Sequence, residues 1–331
     1  MKKKNKDKSN KKDKKIKIIS KLIKYIDFQN KNNEYIMAQI NKNTNHHFVV
    51  KNKIFIKFQK LFFQILIVLS IIFPIISKNY INDNRILQEE ESQTIEIVVN
   101  ATEVGEYGIL YKQFTNLPNY VYVNETISNL TSNNTILLEP NIYLIKIVWN
   151  NQLTNCDFLF SGLSNIIQID FKNFNTSRVV SMKSMFEKCT DLKKINFGHK
   201  FDTSLCIQMQ AMFSECYSLI SLDLTFFNTS LVNNMAKMFY QCNSLVYLNI
   251  SSFDTSQTSD FNYMFYGCKS LISLDLHSFN TEKVIQMNEM FGDCESLIFL
   301  DISSFNTNSV FRMNKLFFYC ISLTSMDLIL H

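Results

Sequence analysis

From Met212 to Met235 the chain reads MFSECYSLISLDLTFFNTSLVNNM, and it then repeats that text. Met238 opens MFYQCNSLVYLNISSFDTS, Met264 opens MFYGCKSLISLDLHSFNTE, and Met290 opens MFGDCESLIFLDISSFNTN. Cys216, Cys242, Cys268, Cys294 and Cys320 therefore fall 26 residues apart. A fixed period in the range of roughly 20–50 residues constrains a fold more than any local propensity does. Each unit is too small to bury its apolar face alone and has to bury it against the next unit. The chain is expected to be a stack of coils, with the remaining sequence delivering or capping that stack.

Leu219 to Cys242 serves as the type coil. Leu219, Leu222 and Leu224 lie in LISLDL, which reads as a short strand, and Phe227 follows a corner. Val232, Met235, Met238, Phe239 and Cys242 then recur at spacings of 3, 3, 1 and 3, which predicts one face of a short helix. Asp202, Asn228, Asp254, Asn280 and Asn306 stand just ahead of that pattern in successive coils, where a short side-chain oxygen caps a helix. The expected coil is a strand, a corner, a capped helix and a return, which is an α/β solenoid. The corner Phe recurs as Phe174, Phe201, Phe227, Phe253, Phe279 and Phe305, and the Val column runs Val179, Cys206, Val232, Thr258, Val284 and Val310. One coil has an extra residue near Gly198–Lys200 that should bulge its corner.

Outside the array, charge divides the chain. Residues 1–60 carry 18 Lys and four acids, whereas the other 271 residues carry 16 Lys and Arg against 25 acids. The basic opening reads as a disordered cytoplasmic tail, as upstream sequence ahead of a start at Met37, or as a nucleic-acid or anionic-lipid patch. Residues 61–77, LFFQILIVLSIIFPIIS, carry no charge and read as a transmembrane helix, acting as signal anchor or as a cleaved signal peptide. The lysines ahead of this stretch place the N-terminus in the cytoplasm and the repeats outside it, in a single-pass membrane protein or a secreted one. N-glycosylation triplets at Asn100, Asn124, Asn129, Asn133, Asn175, Asn228 and Asn249 all follow the hydrophobic stretch. Residues 78–92 read as a linker. Residues 93–155 read as a β-rich cap with strands near 94–99, 107–111, 120–123, 135–138 and 143–149, the last of which should pair with the first coil. Residues 156–331 form the array, which stops midway through a repeat.

The unit L-x-x-L-D-L-S-S-F-[DN]-T-S-x-V-x-x-M-x-x-M-F-x-x-C-x-S resembles the BspA-type leucine-rich repeats of surface proteins, including the mycoplasma-type surface-protein repeat. Met182 to Ser322 carries it almost without gaps, and Leu159 to Met182 carries a degenerate copy. That resemblance implies a curved solenoid used in adhesion or recognition at a cell surface, with no enzymatic activity and no defined catalytic residues.

The residues themselves give no catalytic set. His46, His47, His199, His277 and His331 lie in no metal or phosphate-loop motif. Cys189, Cys216, Cys242, Cys268, Cys294 and Cys320 read as a buried free-thiol ladder, with disulfides between neighbouring coils as the alternative. No cofactor and no nucleic-acid partner are expected. The expected partners are the membrane, through one span, and a protein or glycan. The alternative is a passive coat component, or the non-catalytic part of a longer membrane protein.

One face invites a binding role. The position inside L-x-L is Asp170, Asn196, Asp223, Asn249, Asp275, Asp301 and Asp327, which stacking places in one column. The column after the first Leu or Ile is Ile167, Lys193, Ile220, Val246, Ile272, Ile298 and Thr324, with Tyr247 and Phe299 beside it. Either these side chains form an exposed apolar stripe next to an acidic ladder, or the carboxylates cap corner backbone and the Ile residues are core. In the first case Asp223, Asp275 and Asp301 favour a cationic partner or Ca²⁺.

Overall fold

The computed structural model describes residues 92–327, which lie within one unit, Arg85–His331. Six strands come from the cap: β1 (Gln93–Ala101), β2 (Gly105–Gly108), β3 (Tyr120–Val123), β4 (Thr126–Ser128), β5 (Thr135–Leu138) and β6 (Asn141–Trp149). Seven short ones come from the coils: β7 (Ile166–Asp170), β8 (Lys194–Asn196), β9 (Ser221–Asp223), β10 (Tyr247–Asn249), β11 (Ser273–Leu274), β12 (Phe299–Asp301) and β13 (Ser325–Asp327). Strand β7 pairs with β8, β9 with β10, and β11 with β12 and β12 with β13, each in parallel and in repeat register, as in Leu222 opposite Leu248 and Leu274 opposite Leu300. A second parallel ladder of single bridges joins Ser181, Gln208, Asn234, Asp260, Gln286 and Arg312 in turn.

The α/β solenoid reading is corrected at the second half of each coil, because the described residues contain no helix. Between Met235 and Cys242 the backbone N–H groups alternate between two kinds of partner. Lys237, Phe239 and Gln241 donate to Asn262, Met264 and Tyr266 of the next coil. Met238, Tyr240 and Cys242 donate three residues back, to Met235, Lys237 and Phe239. An α-helix needs every one of these donors for its own i−4 carbonyl, so the two patterns exclude each other. Lys237 and Gln241 also sit at φ of 58° and 54°, in the left-handed region. The same two positions are left-handed at Ser184 and Lys188, Ala211 and Glu215, Tyr263 and Gly267, Glu289 and Asp293, and Lys315 and Tyr319. The apolar spacing of three belongs to a run of three-residue turns, and it matches a helical face only by coincidence of period.

The type coil still buries the side chains that spacing marks, whereas in the last coil Met313 is exposed and Val310 and Phe317 are half-buried. Leu219, Leu222, Leu224, Phe227, Val232, Met235, Met238, Phe239 and Cys242 are all buried. Phe160, Phe186, Phe213, Phe239, Phe265, Phe291 and Phe317 form one ring column with centroids 5.3–6.1 Å apart. The Asn and Asp ahead of the turn run cap turns and not helices. Asn228 Oδ1 accepts the Ser230 N–H at 3.1 Å, and Asp254 Oδ1 accepts that of Ser256 at 2.9 Å. Beside them runs a threonine ladder that sequence reading missed. Thr255 is buried, its hydroxyl donates to the Asn280 carbonyl at 2.8 Å, and its oxygen accepts the Asn280 N–H at 2.8 Å. Thr203 and Thr281 make the same double bond to Asn228 and Asn306.

The extra residue near Gly198 is accommodated at the corner. Gly198 takes a φ of 61°, and a Cβ there would meet the Phe171 carbonyl oxygen at 2.7 Å. At the start of the array the order of the six-stranded sheet is β4-β3-β6-β1-β7-β8. The strand that joins the cap to the first coil is thus β1, antiparallel to β7, and β6 lies on its far side. The expectation that the last cap strand would make this junction is corrected. β1 is the better fit because Ile95, Ile97, Val99 and Ala101 bury one face, while its two edges are free for β6 and β7.

Among the described residues no helix is long and apolar enough to cross a membrane. The single-pass membrane reading is corrected on that finding, together with the transmembrane or signal-anchor helix, the membrane partner and the extracellular placement that depended on it. The stretch on which it stood, residues 61–77, lies outside the described residues, as do the basic tail at 1–60 and the linker up to residue 91.

Candidate recognition face

The coil strands expose two neighbouring columns. Ile220, Val246, Ile272 and Ile298 are 45–55% exposed, and Tyr247 and Phe299 beside them are 53% and 42% exposed. Both residues between the first two leucines of LISL point outward because the true strand is only three residues long. Leu219 precedes it in a turn, with its N–H on the Cys216 carbonyl. Ile167 at the start of the column is half-buried, and Lys193 and Thr324 are exposed.

Asp223, Asp275 and Asp301 of the acidic column are exposed as well, but one oxygen of each of these carboxylates is engaged locally. Asp223, Asp275 and Asp301 accept the backbone N–H groups of Thr225, His277 and Ser303 at 3.1, 3.0 and 2.9 Å. The Ser303 backbone N–H, helped by the Ser303 hydroxyl, holds the Asp301 carboxyl below its ordinary value. Asn196 and Asn249 cap the same corner in their coils, at 3.3 Å each. Asp170 is half-buried and faces Lys172 Nζ at 3.8 Å, with Glu96 of β1 at 3.3 Å from the same nitrogen. Asp327 lies opposite Asp301 in the β12–β13 register. So the carboxylates cap corners while the Ile residues remain exposed, which joins parts of the two alternatives that the sequence left open. Among the described residues no three His, Cys, Asp or Glu side chains are grouped so as to hold a metal ion, so Asp223, Asp275 and Asp301 form no calcium cage.

The cap continues the same face. Directly paired residues share a side of the sheet. Lys146, Glu96, Asp170 and Asn196 thus form one row across β6, β1, β7 and β8, and Leu144, Val98, Gln168 and Lys194 form the next. Leu144 and Ile142 are exposed there.

Comparison with known families bears on the array. The family described as "Mycoplasma protein of unknown function, DUF285" matches residues 154–271 and again 243–328, together more than half of the chain. The chain belongs to this family. No curated protein and no solved structure matched it. The DUF285 segment begins at Thr154, close to where the stacking begins. Cys156 and Phe158, and then Phe160 and Gly162 of the degenerate copy, already donate their N–H groups to the coil ahead.

The cysteines of the DUF285 repeats lie away from the face. All eight cysteines of the chain are free. Cys189, Cys216, Cys242, Cys268 and Cys294 are buried and Cys320 is half-buried. Each thiol donates to a Phe carbonyl of the preceding coil at 2.9–3.2 Å. Burial pushes these thiols up, that of Cys242 to about 12, and it also raises that of Cys206 in the Val column, to about 11. Thiols held neutral in this way are poor nucleophiles and poor metal ligands. The glycosylation triplets divide by exposure. Asn124, Asn129, Asn133 and Asn228 are exposed, whereas Asn100, Asn175 and Asn249 are half-buried.

Proposed function

We propose that this chain is a non-enzymatic recognition protein, with repeats akin to the BspA type, that binds another macromolecule through the face bearing Ile220, Val246, Ile272, Ile298, Tyr247 and Phe299. The observation that supports the reading is the exposure of four aliphatic side chains in consecutive coils. The fold does not require them to be apolar, since the same column holds Lys193 at one end and Thr324 at the other. Apolar surface left in water forgoes about 25 cal/mol per Å² of burial, and a contiguous stripe of it is typical of a site that a partner covers.

The test is binding of the full chain to arrays of immobilised proteins and glycans. Ile272→Glu with Ile298→Glu should abolish the signal, and Phe311→Glu on the second ladder should leave it intact. Binding unchanged by the first pair would overturn the reading. Absence of any partner on either array would also overturn it, in favour of a passive structural component.

A further inference from the structure

The residue after each stacked Phe runs Glu187, Ser214, Tyr240, Tyr266, Gly292 and Phe318 along the array, so two tyrosines become neighbours across one coil step. The rings of Tyr240 and Tyr266 are stacked, with centroids 5.4 Å apart and an interplanar angle of 16°. Tyr263 stands edge-on to both, at 6.3 and 5.9 Å. Among the described residues no other two tyrosines stack face to face, since Tyr120 and Tyr122 are tilted by 41° at 6.4 Å. The Gln241 N–H donates to the Tyr266 carbonyl at 2.6 Å, which fixes one coil's backbone against the other. Gly292 leaves room for the Tyr266 ring, because a Cβ there would meet Tyr266 Cδ2 at 2.8 Å. Tyr240, Tyr263 and Tyr266 are half-buried, so each ring keeps part of its surface in water.

A phenol that loses one electron and its proton becomes a phenoxyl radical with spin density on its ortho carbons, and two such radicals held side by side couple there. Lys237 Nζ lies 5.4 Å over the Tyr240 ring and 5.7 Å over that of Tyr263. Its charge opposes electron loss from those two rings, which favours Tyr266 as one partner, and stacking selects Tyr240 over Tyr263 as the other. We propose that Tyr240 and Tyr266 form an oxidative cross-linking site, at which a peroxidase-type one-electron oxidant joins the two phenols as dityrosine and staples neighbouring coils. Each phenol gives up one electron and one proton, and a C–C bond forms between ortho carbons. The hydrogen on each coupled carbon leaves as a proton while each oxygen regains one. Hydrogen peroxide takes up the two electrons and two protons and becomes two waters. The linked rings lie edge to edge with their Cγ atoms about one coil step apart, so rotation about the soft Cβ–Cγ torsions brings the ortho carbons together. The Cys column two residues on offers no such staple, because Cys242 and Cys268 are buried with their thiols on Phe carbonyls.

The test is treatment of the dilute full chain with a haem peroxidase and hydrogen peroxide, followed by mass spectrometry of the intact protein and of its peptides. The product should be a single chain lighter by two hydrogens, with blue dityrosine fluorescence and a linked peptide pair containing Tyr240 and Tyr266. Its melting temperature should rise by roughly 5–10 °C, because the link closes a loop in the unfolded chain. Tyr240→Phe and Tyr266→Phe, each folded by circular dichroism, should abolish the link, and Gly292→Ala should lower its yield by displacing the Tyr266 ring. Tyr217→Phe should leave it intact, since Tyr217 bonds Glu215 through its hydroxyl and stacks on no other tyrosine among the described residues. Absence of dityrosine in the unmutated chain would overturn the proposal, as would a link that maps to Tyr263 or to Tyr120 and Tyr122. Dityrosine found only between separate molecules would overturn it as well.

Discussion

At the scale of single residues, stability in this chain rests on groups that close hydrogen bonds between coils. Thr255 both donates to and accepts from Asn280 in a fully buried position. Thr255→Val keeps the shape but strands the part-buried carbonyl and N–H of Asn280. It should cost about 2–4 kcal/mol in denaturant unfolding, since each stranded group costs about 1–3. Thr258 is a useful contrast, because it only donates, to the Val232 carbonyl, in a column where other coils carry Val. Thr258→Val should change stability by no more than about 0.5 kcal/mol, with a change beyond about 1.5 contradicting the assignment. The buried thiols set a pH dependence. Cys242 rises from 9.0 to about 12 on folding because its thiolate would be desolvated. Its contribution is complete below pH 9 and is lost as pH rises towards 12, by about 1.4 kcal/mol per pH unit in that window. Alkaline unfolding should therefore begin near pH 9, and Cys242→Ala should shift its onset upward. An onset unaffected by replacing the thiol would contradict this account.

At the scale of the element, the lesson is how a turn run can be mistaken for a helix. Val232, Met235 and Met238 recur at three residues in either structure, so apolar spacing alone cannot separate them. A signal was present in the left-handed column, where Gly267 stands among Lys188, Glu215, Gln241, Asp293 and Tyr319, and Gly162 opens the series. Gly267 stands one residue before Cys268, at the end of the expected helix, and glycine's access to the left-handed region marks such a position. Gly267 has a φ of 74°, and a Cβ there would lie 3.0 Å from Gln241 Cγ. Gly267→Val should destabilise by about 2 kcal/mol, more than Gly267→Asn does, because a branched side chain resists this backbone conformation most. Equal effects of the two substitutions would argue against a left-handed residue here. The strands were more legible. The 120–123 and 135–138 segments coincide with β3 and β5, whereas three-residue β4 is too short to leave a pattern of its own. On the candidate face the columns themselves could be read from the repeat. Their exposure could not, because it depends on coil strands only two to five residues long.

At the scale of the whole molecule, the array is a one-dimensional stack whose coils contact chiefly their neighbours. Removing residues 245–270, one full coil, should leave the Phe, Cys and Thr columns in register and give a folded chain of lower melting temperature. Removing half that length should abolish folding, because it turns every later column out of its ladder. The account depends most directly on where the backbone N–H groups of the turn run point. Residue-resolved NMR of the isotope-labelled full chain reads this out. The account predicts contacts from the Phe239 and Gln241 amides to Met264 and Tyr266, 25 residues away, with left-handed backbone couplings at Lys237 and Gln241. An unbroken series of i to i+3 and i to i+4 helical contacts from Met235 to Cys242, without those long-range contacts, would contradict it.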